Sequence, residues 1–388
     1  MFTRIRLGGV SLLLALSLSG ISQGEVFVPQ VTLVSDPASG IYDPEFDQLG
    51  YRMVWQDKSG NLWVANVNPL TGDISPAHGM GELVDTGLYS FVLNGNGPEW
   101  VYGRDKAHIV YTANIGGVPS LRAAREDSAG NWNPVVLAQA NSRSGALGAP
   151  VNNGGPPMIS YRVTLPNGTG VTGWRNLYVS SSEKLSNVST HGGRFVEGGV
   201  HEGKRIVATG RFNDVSQLAW IDTQSGVVTQ ISSDPGEKAN PFMWWAPELG
   251  EYLALAVVDR RILAIYREIG GQWQRYLSLA IPSRFEFLTS PEILVVNGVS
   301  YFAIVAALEL TETGRLKHWP SGASEIWIGG IDPANPFFRR VDNPAYDAVR
   351  VEPEFLVLNT GVAILYYSEQ DEALNTTLLF RAQTGLAE

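Results

Sequence analysis

Short apolar segments rich in β-branched and aromatic residues recur along the chain at a nearly constant spacing. Seven of them, about 52 residues apart, begin at Tyr51, Ala107, Pro156, Lys204, Glu251, Val299 and Gly361. A second series of seven begins at Asn61, Ser120, Asn176, Gln217, Arg261, Glu325 and Thr377. Short runs of this length and composition are typical of β-strands. Because the two series are independent and agree in number, the pattern predicts seven repeated β-units.

Two further segments complete each unit. A short segment before the first series often contains Pro-Glu, as at residues 44–45, 98–99, 291–292 and 353–354. A fourth strand follows the second series after a turn that often carries Gly, as at residues 132–138, 227–232 and 273–279. Each unit is therefore predicted to be a four-stranded antiparallel sheet.

A single sheet of this kind cannot bury both of its faces. Seven sheets packed radially do bury them, and they leave only short edges. The prediction is an all-β, seven-bladed β-propeller with blades that start near residues 43, 97, 149, 194, 240, 290 and 352. A strand within residues 26–34 has no unit of its own, and we expect it to join the last blade and close the ring. No segment keeps the apolar spacing and caps of a helix.

Part of this pattern is also a family resemblance. Residues 30–36, followed by residues 43–46, 50–55 and 60–64, resemble the TolB-type, WD-repeat-like propeller unit, and the same arrangement returns at residues 228–234 and 240–242. The family's Ser-Pro-Asp-Gly turn is replaced here by residues 47–50. The resemblance implies the fold, and a fold alone does not determine a function.

The first 24 residues have the organisation of a signal peptide. Arg4 and Arg6 precede an apolar run over residues 7–19, and the small residues Ser22 and Gly24 follow it. The run is short for a membrane span. Cleavage after Gly24 would release residues 25–388 to the periplasm or the extracellular medium, without stable membrane insertion. An uncleaved N-terminal anchor is the alternative.

Composition excludes several classes of function. The chain has 28 Lys and Arg against 38 Asp and Glu, a net charge of -10, and no Cys. A disulfide scaffold and a thiol enzyme are therefore excluded, and an interspersed acidic charge argues against nucleic acid as a partner. Five scattered His, without HExxH or calcium-loop spacing, predict no metal, and no motif indicates another cofactor.

Two connections between second and third strands are predicted to be long, over residues 164–175 and 308–324. In a propeller, such connections share a face with the mouth of the central channel, and loops there commonly carry function. Aromatic rings stack on sugars, and guanidinium groups hold carboxylates. The candidate ligand-binding residues are Trp174, Arg175, Arg315, His318 and Trp319, although the same side chains would also suit a rim cover. We predict a binding module for a polysaccharide or for an envelope or secreted protein.

Two enzymatic alternatives use residues on the same face. A lyase acting on an acidic polysaccharide needs a His or Tyr base and an Arg that neutralises the uronate. The candidates are His191, Tyr161, Arg162 and Arg211. Asp43, in an Asp-Pro pair, resembles the general base of arabinanase-type glycosidases. A glycoside hydrolase is the less favoured alternative, because the second carboxylate that it needs is not identifiable by motif.

Overall fold

The propeller predicted from the sequence is confirmed by the structure, a computed structural model. It describes residues 29–35, 40–75, 81–88, 97–103, 106–139, 143–149, 156–312, 314, 316–317, 322–332, 337–371 and 376–386. The strands form seven antiparallel sheets, one for each blade. The predicted signal peptide lies outside the described residues. Within those ranges, no helix has the length and apolar character needed to cross a membrane.

The first three blades are built from consecutive strands. Blade 1 contains β2 (Tyr42–Asp47), β3 (Arg52–Gln56), β4 (Asn61–Val67), β5 (Ile74–Ser75) and β6 (Glu82–Thr86), and both β5 and β6 pair with β4. Blade 2 contains β7 (Glu99–Gly103), β8 (Lys106–Ile115), β9 (Val118–Glu126) and β10 (Trp132–Gln139). Blade 3 contains β11 (Arg143–Gly148), β12 (Met158–Thr164), β13 (Gly170–Asn176) and β14 (Lys184–Leu185).

Blades 4 to 6 repeat this order. Blade 4 contains β15 (Thr190–Phe195), β16 (Arg205–Phe212), β17 (Val215–Asp222) and β18 (Val228–Gln230). Blade 5 contains β19 (Lys238–Ala246), β20 (Glu251–Val258), β21 (Ile262–Ile269) and β22 (Gln272–Leu279). Blade 6 contains β23 (Phe287–Val296), β24 (Val299–Ala307), β25 (Ser324–Gly330) and β26 (Phe338–Arg340). Two 3₁₀ helices lie in connections, at Ser180–Ser182 and Gly199–His201.

Blade 7 takes strands from both ends of the chain. It contains β27 (Arg350–Val357), β28 (Ala363–Asp371) and β29 (Thr376–Leu386), with β1 (Val31–Leu33) as its outer strand. The pairing of β1 with β29 is antiparallel and sets Val31 opposite Ala382. The predicted closure of the ring by the N-terminal strand is thus confirmed.

The hydrophobic core is divided among the junctions between blades. Seven clusters of buried apolar side chains each join two adjacent blades, so every blade is covered on both faces. Hydrogen bonds cross the same junctions. The indole N–H of Trp244 in blade 5, for example, donates to Ser300 Oγ in blade 6 over 2.9 Å. This arrangement provides the burial that a single sheet cannot.

A β-bulge recurs near the start of the inner strand in six of the seven blades. Its first residue has a positive φ in each case, at Asp43, Gly145, Gly192, Asn240, Ser290 and Glu352. Proline follows at positions 44, 241, 291 and 353. Proline has no N–H to donate to the ladder, so it is tolerated at an unpaired bulge. In blades 1, 6 and 7, the proline of the Pro-Glu pair noted in the sequence lies in this bulge, and the glutamate after it resumes the pairing.

Candidate functional site

The third blade corrects one part of the sequence prediction. Residues 164–175 do not form a long loop, because β12 extends to Thr164 and β13 begins at Gly170. The turn between them is short and is closed by a 2.8 Å hydrogen bond from Leu165 N–H to the Thr169 carbonyl. Gly168 supplies the positive φ that such a turn needs.

Trp174 and Arg175 consequently lie within β13, and they are 1% and 4% exposed. The Trp174 indole N–H donates to the Thr223 carbonyl of blade 4, and the Arg175 guanidinium donates to the carbonyls of Leu137 and Leu177. Both side chains hold neighbouring segments together. Their predicted place on a ligand-binding loop is wrong, because the segment pairs in register as a strand.

The candidates for lyase chemistry are only partly brought together. Tyr161 is 2% exposed, and its hydroxyl donates to Glu183 on the far side of β12 from the exposed Arg162. Arg162 and the exposed His191 meet above Gly170, and burial, together with the charge of Arg162, lowers the pKa of His191. Arg211 stands apart and lies 3.8 Å from Asp214. A Tyr-His-Arg site is therefore not assembled.

The sixth-blade connection is long, since β24 ends at Ala307 and β25 begins at Ser324. Arg315, His318 and Trp319 lie outside the described residues. Within the part that is described, Lys317 Nζ lies 2.6 Å from Glu309 Oε2. The predicted ligand roles of Arg315, His318 and Trp319 remain predictions.

Asp43 belongs to a group of carboxylates at the propeller axis that the sequence analysis did not recognise. Its backbone N–H donates to Glu352 Oε2 over 3.0 Å, and its carboxylate accepts the N–H of Gly97. Five more side chains of inner strands interact electrostatically with one another across the ring. They are Glu45, Glu99, Arg194, Glu292 and Glu354, from blades 1, 2, 4, 6 and 7. Because these blades are not all neighbours, the side chains must converge on the axis. We call these seven residues the axial cluster.

The axial cluster has a strongly perturbed protonation equilibrium. Burial raises the pKa of Asp43 to about 6 and that of Glu292 to about 8. Burial also raises the pKa of Glu45 well above its usual range, and the neighbouring carboxylates add to the effect. Arg194 lies among them, with its guanidinium 3.8 Å from Glu292. Within the described part of the chain, no three acidic or histidine side chains are arranged to hold a metal ion.

A second feature lies on the opposite face of the ring, between blades 4 and 5. Here the connections from first to second and from third to fourth strands enclose a cavity of about 330 Å³. We call it the aromatic cavity; its lining residues are His201, Arg205, Trp220, Trp245, Glu251, Tyr252, Glu268, Gly271 and Trp273. The sequence analysis placed the ligand on the other face and did not single out these side chains.

The 3₁₀ helix Gly199–His201 shapes one wall of the aromatic cavity. It places the His201 ring on that of Tyr252, with centroids 4.7 Å apart. The His201 N–H donates to the Tyr252 hydroxyl over 2.8 Å, and this hydroxyl donates to the Gly198 carbonyl over 3.2 Å. Gly199 has a positive φ, and a Cβ there would lie 2.3 Å from the same hydroxyl. Only glycine fits this approach.

The other walls are tryptophans held at fixed angles. Trp220 and Trp273 meet edge to face at 5.8 Å, and Trp245 packs against Tyr252 at 5.1 Å. The four aromatic side chains are half-buried, so each is fixed by packing and still presents surface to the cavity. Such an arrangement provides apolar surfaces on which a ring-shaped ligand can stack.

Polar groups complete the lining. The Arg205 guanidinium lies 3.7 Å from the centroid of Trp220. Glu251 is 3.5 Å from Arg267, whereas Glu268 is exposed. Burial and the charge of Arg205 lower the pKa of His201, which favours the neutral imidazole. The cavity thus offers both donors and acceptors beside its aromatic surfaces.

No family profile matches this sequence, and no curated protein sequence matches it. Among solved structures, the propeller domain of Cps50 (Swd1) from Myceliophteria thermophila is similar at a TM-score of 0.53 and 10% identity, over 90% of this chain and 98% of that one. The Dos1 propeller is similar at a TM-score of 0.53 and 9% identity, over 91% of this chain and 94% of that one. The chain has a WD-repeat-like propeller fold. A protein described as TolB from Agrobacterium tumefaciens has a TM-score of 0.41 and 14% identity, over 65% of this chain and 80% of that one.

This propeller has a second, more open cavity of about 630 Å³ at the outer end of blade 6. Its two arginines are already engaged by acidic side chains. Arg284 lies 3.1 Å and Arg340 lies 2.7 Å from Glu325, and Arg340 also lies 2.7 Å from Asp342. Because its charges are internally paired, we consider the aromatic cavity the stronger candidate for a ligand site.

Proposed function

We propose that the protein is a carbohydrate-binding propeller whose ligand occupies the aromatic cavity. The observation that supports this most directly is the set of four half-buried aromatic rings around a cavity of about 330 Å³. The C–H face of a pyranose packs on such rings, and its hydroxyls hydrogen-bond to charged side chains at the edge. Arg205 and Glu268 offer a donor and an acceptor there.

The proposal keeps the class of ligand expected from the sequence and changes its location. The reason is that Trp174 and Arg175 are buried, whereas Trp220 and Trp273 are only partly buried and line a cavity. Export of the chain remains a prediction from residues 1–24. A carbohydrate ligand in the periplasm or outside the cell would be consistent with it.

Replacing Trp273 with Ala should weaken saccharide binding, because it removes one wall of the aromatic cavity. We expect the purified chain, residues 25–388, to bind at least one member of a panel of acidic and neutral oligosaccharides. The Trp273→Ala variant should bind that member at least about tenfold more weakly. Isothermal titration calorimetry measures both affinities.

Trp132 offers a matched control for this experiment. It begins β10 of blade 2 much as Trp273 lies at the start of β22, and it is also half-buried. The Trp132→Ala variant loses comparable packing but lies away from the aromatic cavity, so its affinity should equal that of the unmodified protein. A chain that binds no saccharide in the panel, or a Trp273→Ala variant with full affinity, would refute the proposal.

The axial cluster supports a second candidate function, glycoside hydrolysis. This chemistry uses one carboxyl group that stays protonated and one carboxylate that is ionised. Glu292, with its pKa raised to about 8, has the property of the acid, and Asp43, with its pKa near 6, is ionised at pH 7. A lyase is less well supported, since Tyr161 is bonded to Glu183 away from Arg162.

The second candidate predicts that the protein releases reducing ends from a polysaccharide, and that Asp43→Asn abolishes the release. The mutation removes the ionised carboxylate and keeps the shape of the side chain. A reducing-end assay measures the activity, and absorbance of unsaturated uronates measures lyase activity in parallel. If the unmodified protein is inactive in both assays on substrates that it binds, the axial cluster has no catalytic role on them.

A further inference from the structure

The aromatic cavity contains the charged guanidinium of Arg205, which is half-buried. This guanidinium stacks on Trp220 at 3.7 Å. Within the described residues, it has no hydrogen bond and no ion pair shorter than 4.0 Å. Burial lowers its pKa, and the charge of Asp222 only partly offsets this effect. A guanidinium carries five N–H donors, and a half-buried one gains free energy when an acceptor meets them.

The acidic groups around Arg205 are engaged elsewhere or exposed. Asp222 accepts hydrogen bonds from the backbone N–H and hydroxyl of Ser225 in its own turn. Glu251 is held by Arg267, on the neighbouring strand of blade 5. Glu268 is exposed at the rim of the cavity. None of the three fixes the guanidinium, so its donors remain available to a ligand.

We propose that the aromatic cavity recognises a carboxylate-bearing saccharide, a uronic acid, through Arg205. The inference rests on the proposed carbohydrate function and specifies its ligand class. The planar carboxylate accepts two parallel hydrogen bonds from the guanidinium fork, while the pyranose ring packs on Trp273 and Tyr252. Trp220 orients Arg205 from the opposite side, because the stack limits the guanidinium to one plane.

Glu268 provides an internal check on this assignment. Its carboxylate lines the same cavity and interacts electrostatically with Arg205. It therefore both competes for the guanidinium and repels an anionic ligand. Replacing it with Gln keeps an acceptor for sugar hydroxyls and removes the charge. The variant should therefore bind a uronic acid about threefold more strongly, whereas a neutral sugar gains nothing from the loss of the charge.

The experiment compares oligogalacturonate with the same oligosaccharide after methyl esterification, by calorimetric titration of residues 25–388. We expect the free acid to bind at least about tenfold more tightly than the ester. In the Arg205→Gln variant, this difference should disappear, because the acid loses more affinity than the ester does. Arg205→Lys should restore part of it, since the charge returns without the planar fork.

The outcomes separate this inference from the proposed function. Equal binding of acid and ester by the unmodified protein would overturn the uronate assignment and leave carbohydrate binding intact. Binding of neither, together with no binding of other saccharides, would overturn both. Tighter binding of a sulfated oligosaccharide that lacks carboxylates would also overturn the assignment. A Glu268→Gln variant that binds the acid more weakly would do the same, even if the Arg205 variants failed to fold.

Discussion

Replacing Arg350 with Ala is expected to lower the free energy of unfolding by about 4 kcal/mol, because it leaves the buried carboxylate of Glu369 without its cation and removes one of the two guanidinium groups beside Asp342. The Arg350 side chain is fully buried; its Nη1 lies 3.2 Å from Asp342 and its Nε lies 2.9 Å from Glu369. It also donates to the Asn343 carbonyl over 2.9 Å. Burial raises the pKa values of both acids, so their charged forms depend on the neighbouring guanidinium groups.

Urea denaturation measures this effect, and Arg211→Ala is its control. The Arg211 side chain is 63% exposed and lies 3.8 Å from a fully exposed Asp214. An exposed pair of this kind contributes little, so the control should change the free energy of unfolding by less than about 0.5 kcal/mol. A loss below about 1 kcal/mol in Arg350→Ala would show that the buried network does not hold blades 6 and 7 together.

The second large effect concerns pH. Five carboxyl groups of the axial cluster have pKa values that are higher in the folded than in the unfolded chain; they are those of Asp43, Glu45, Glu292, Glu352 and Glu354. The folded state then binds more protons, so the free energy of unfolding falls as pH rises from the unfolded pKa, near 4.5, through the folded values. We expect the melting temperature to be higher at pH 5.5 than at pH 8.

The variant Glu45→Gln should remove part of this dependence and stabilise the protein by about 2 kcal/mol at pH 8. Glu45 is the cleanest choice, because burial and four neighbouring carboxylates all raise its pKa. The amide keeps the shape of the neutral acid and has no charge to lose. Thermal unfolding at the two pH values, with Glu286→Gln as a surface control that is 72% exposed, tests this expectation. A Glu45→Gln variant that is less stable at pH 8 would contradict it.

The architecture was predictable because the patterns that indicate it are local in the sequence. The length and apolar character of each strand can be read from its own segment. Seven repeats of one pattern form seven similar sheets, and few arrangements of such sheets bury their faces. The error at Trp174 has a local cause, since a Pro-Asn-Gly turn in a stretch with few apolar residues resembled a loop. Counting the Pro-Glu pairs near the start of the inner strand, which occur in four blades, could have identified part of the axial cluster in advance.

The aromatic cavity could not be found in the same way. Arg205, Trp220 and Trp273 are scattered over two blades, and each looks like an ordinary strand residue in its own segment. Only the packing of blade 4 against blade 5 gives them a common space. A residue's contribution to such a site depends on partners about 20 to 70 positions away, which periodicity does not reveal.

The strand that completes blade 7 also constrains when the molecule can finish folding. Its partner residues, Val31 and Ala382, stand at opposite ends of the sequence. A ribosome or an export channel delivers the chain from the N-terminus, so β1 must wait, unpaired, until β29 has emerged. Until that moment the nascent chain is an open arc with two exposed edges. Its vulnerability to proteases and to pairing with other chains should therefore last until β29 has been delivered and has paired with β1.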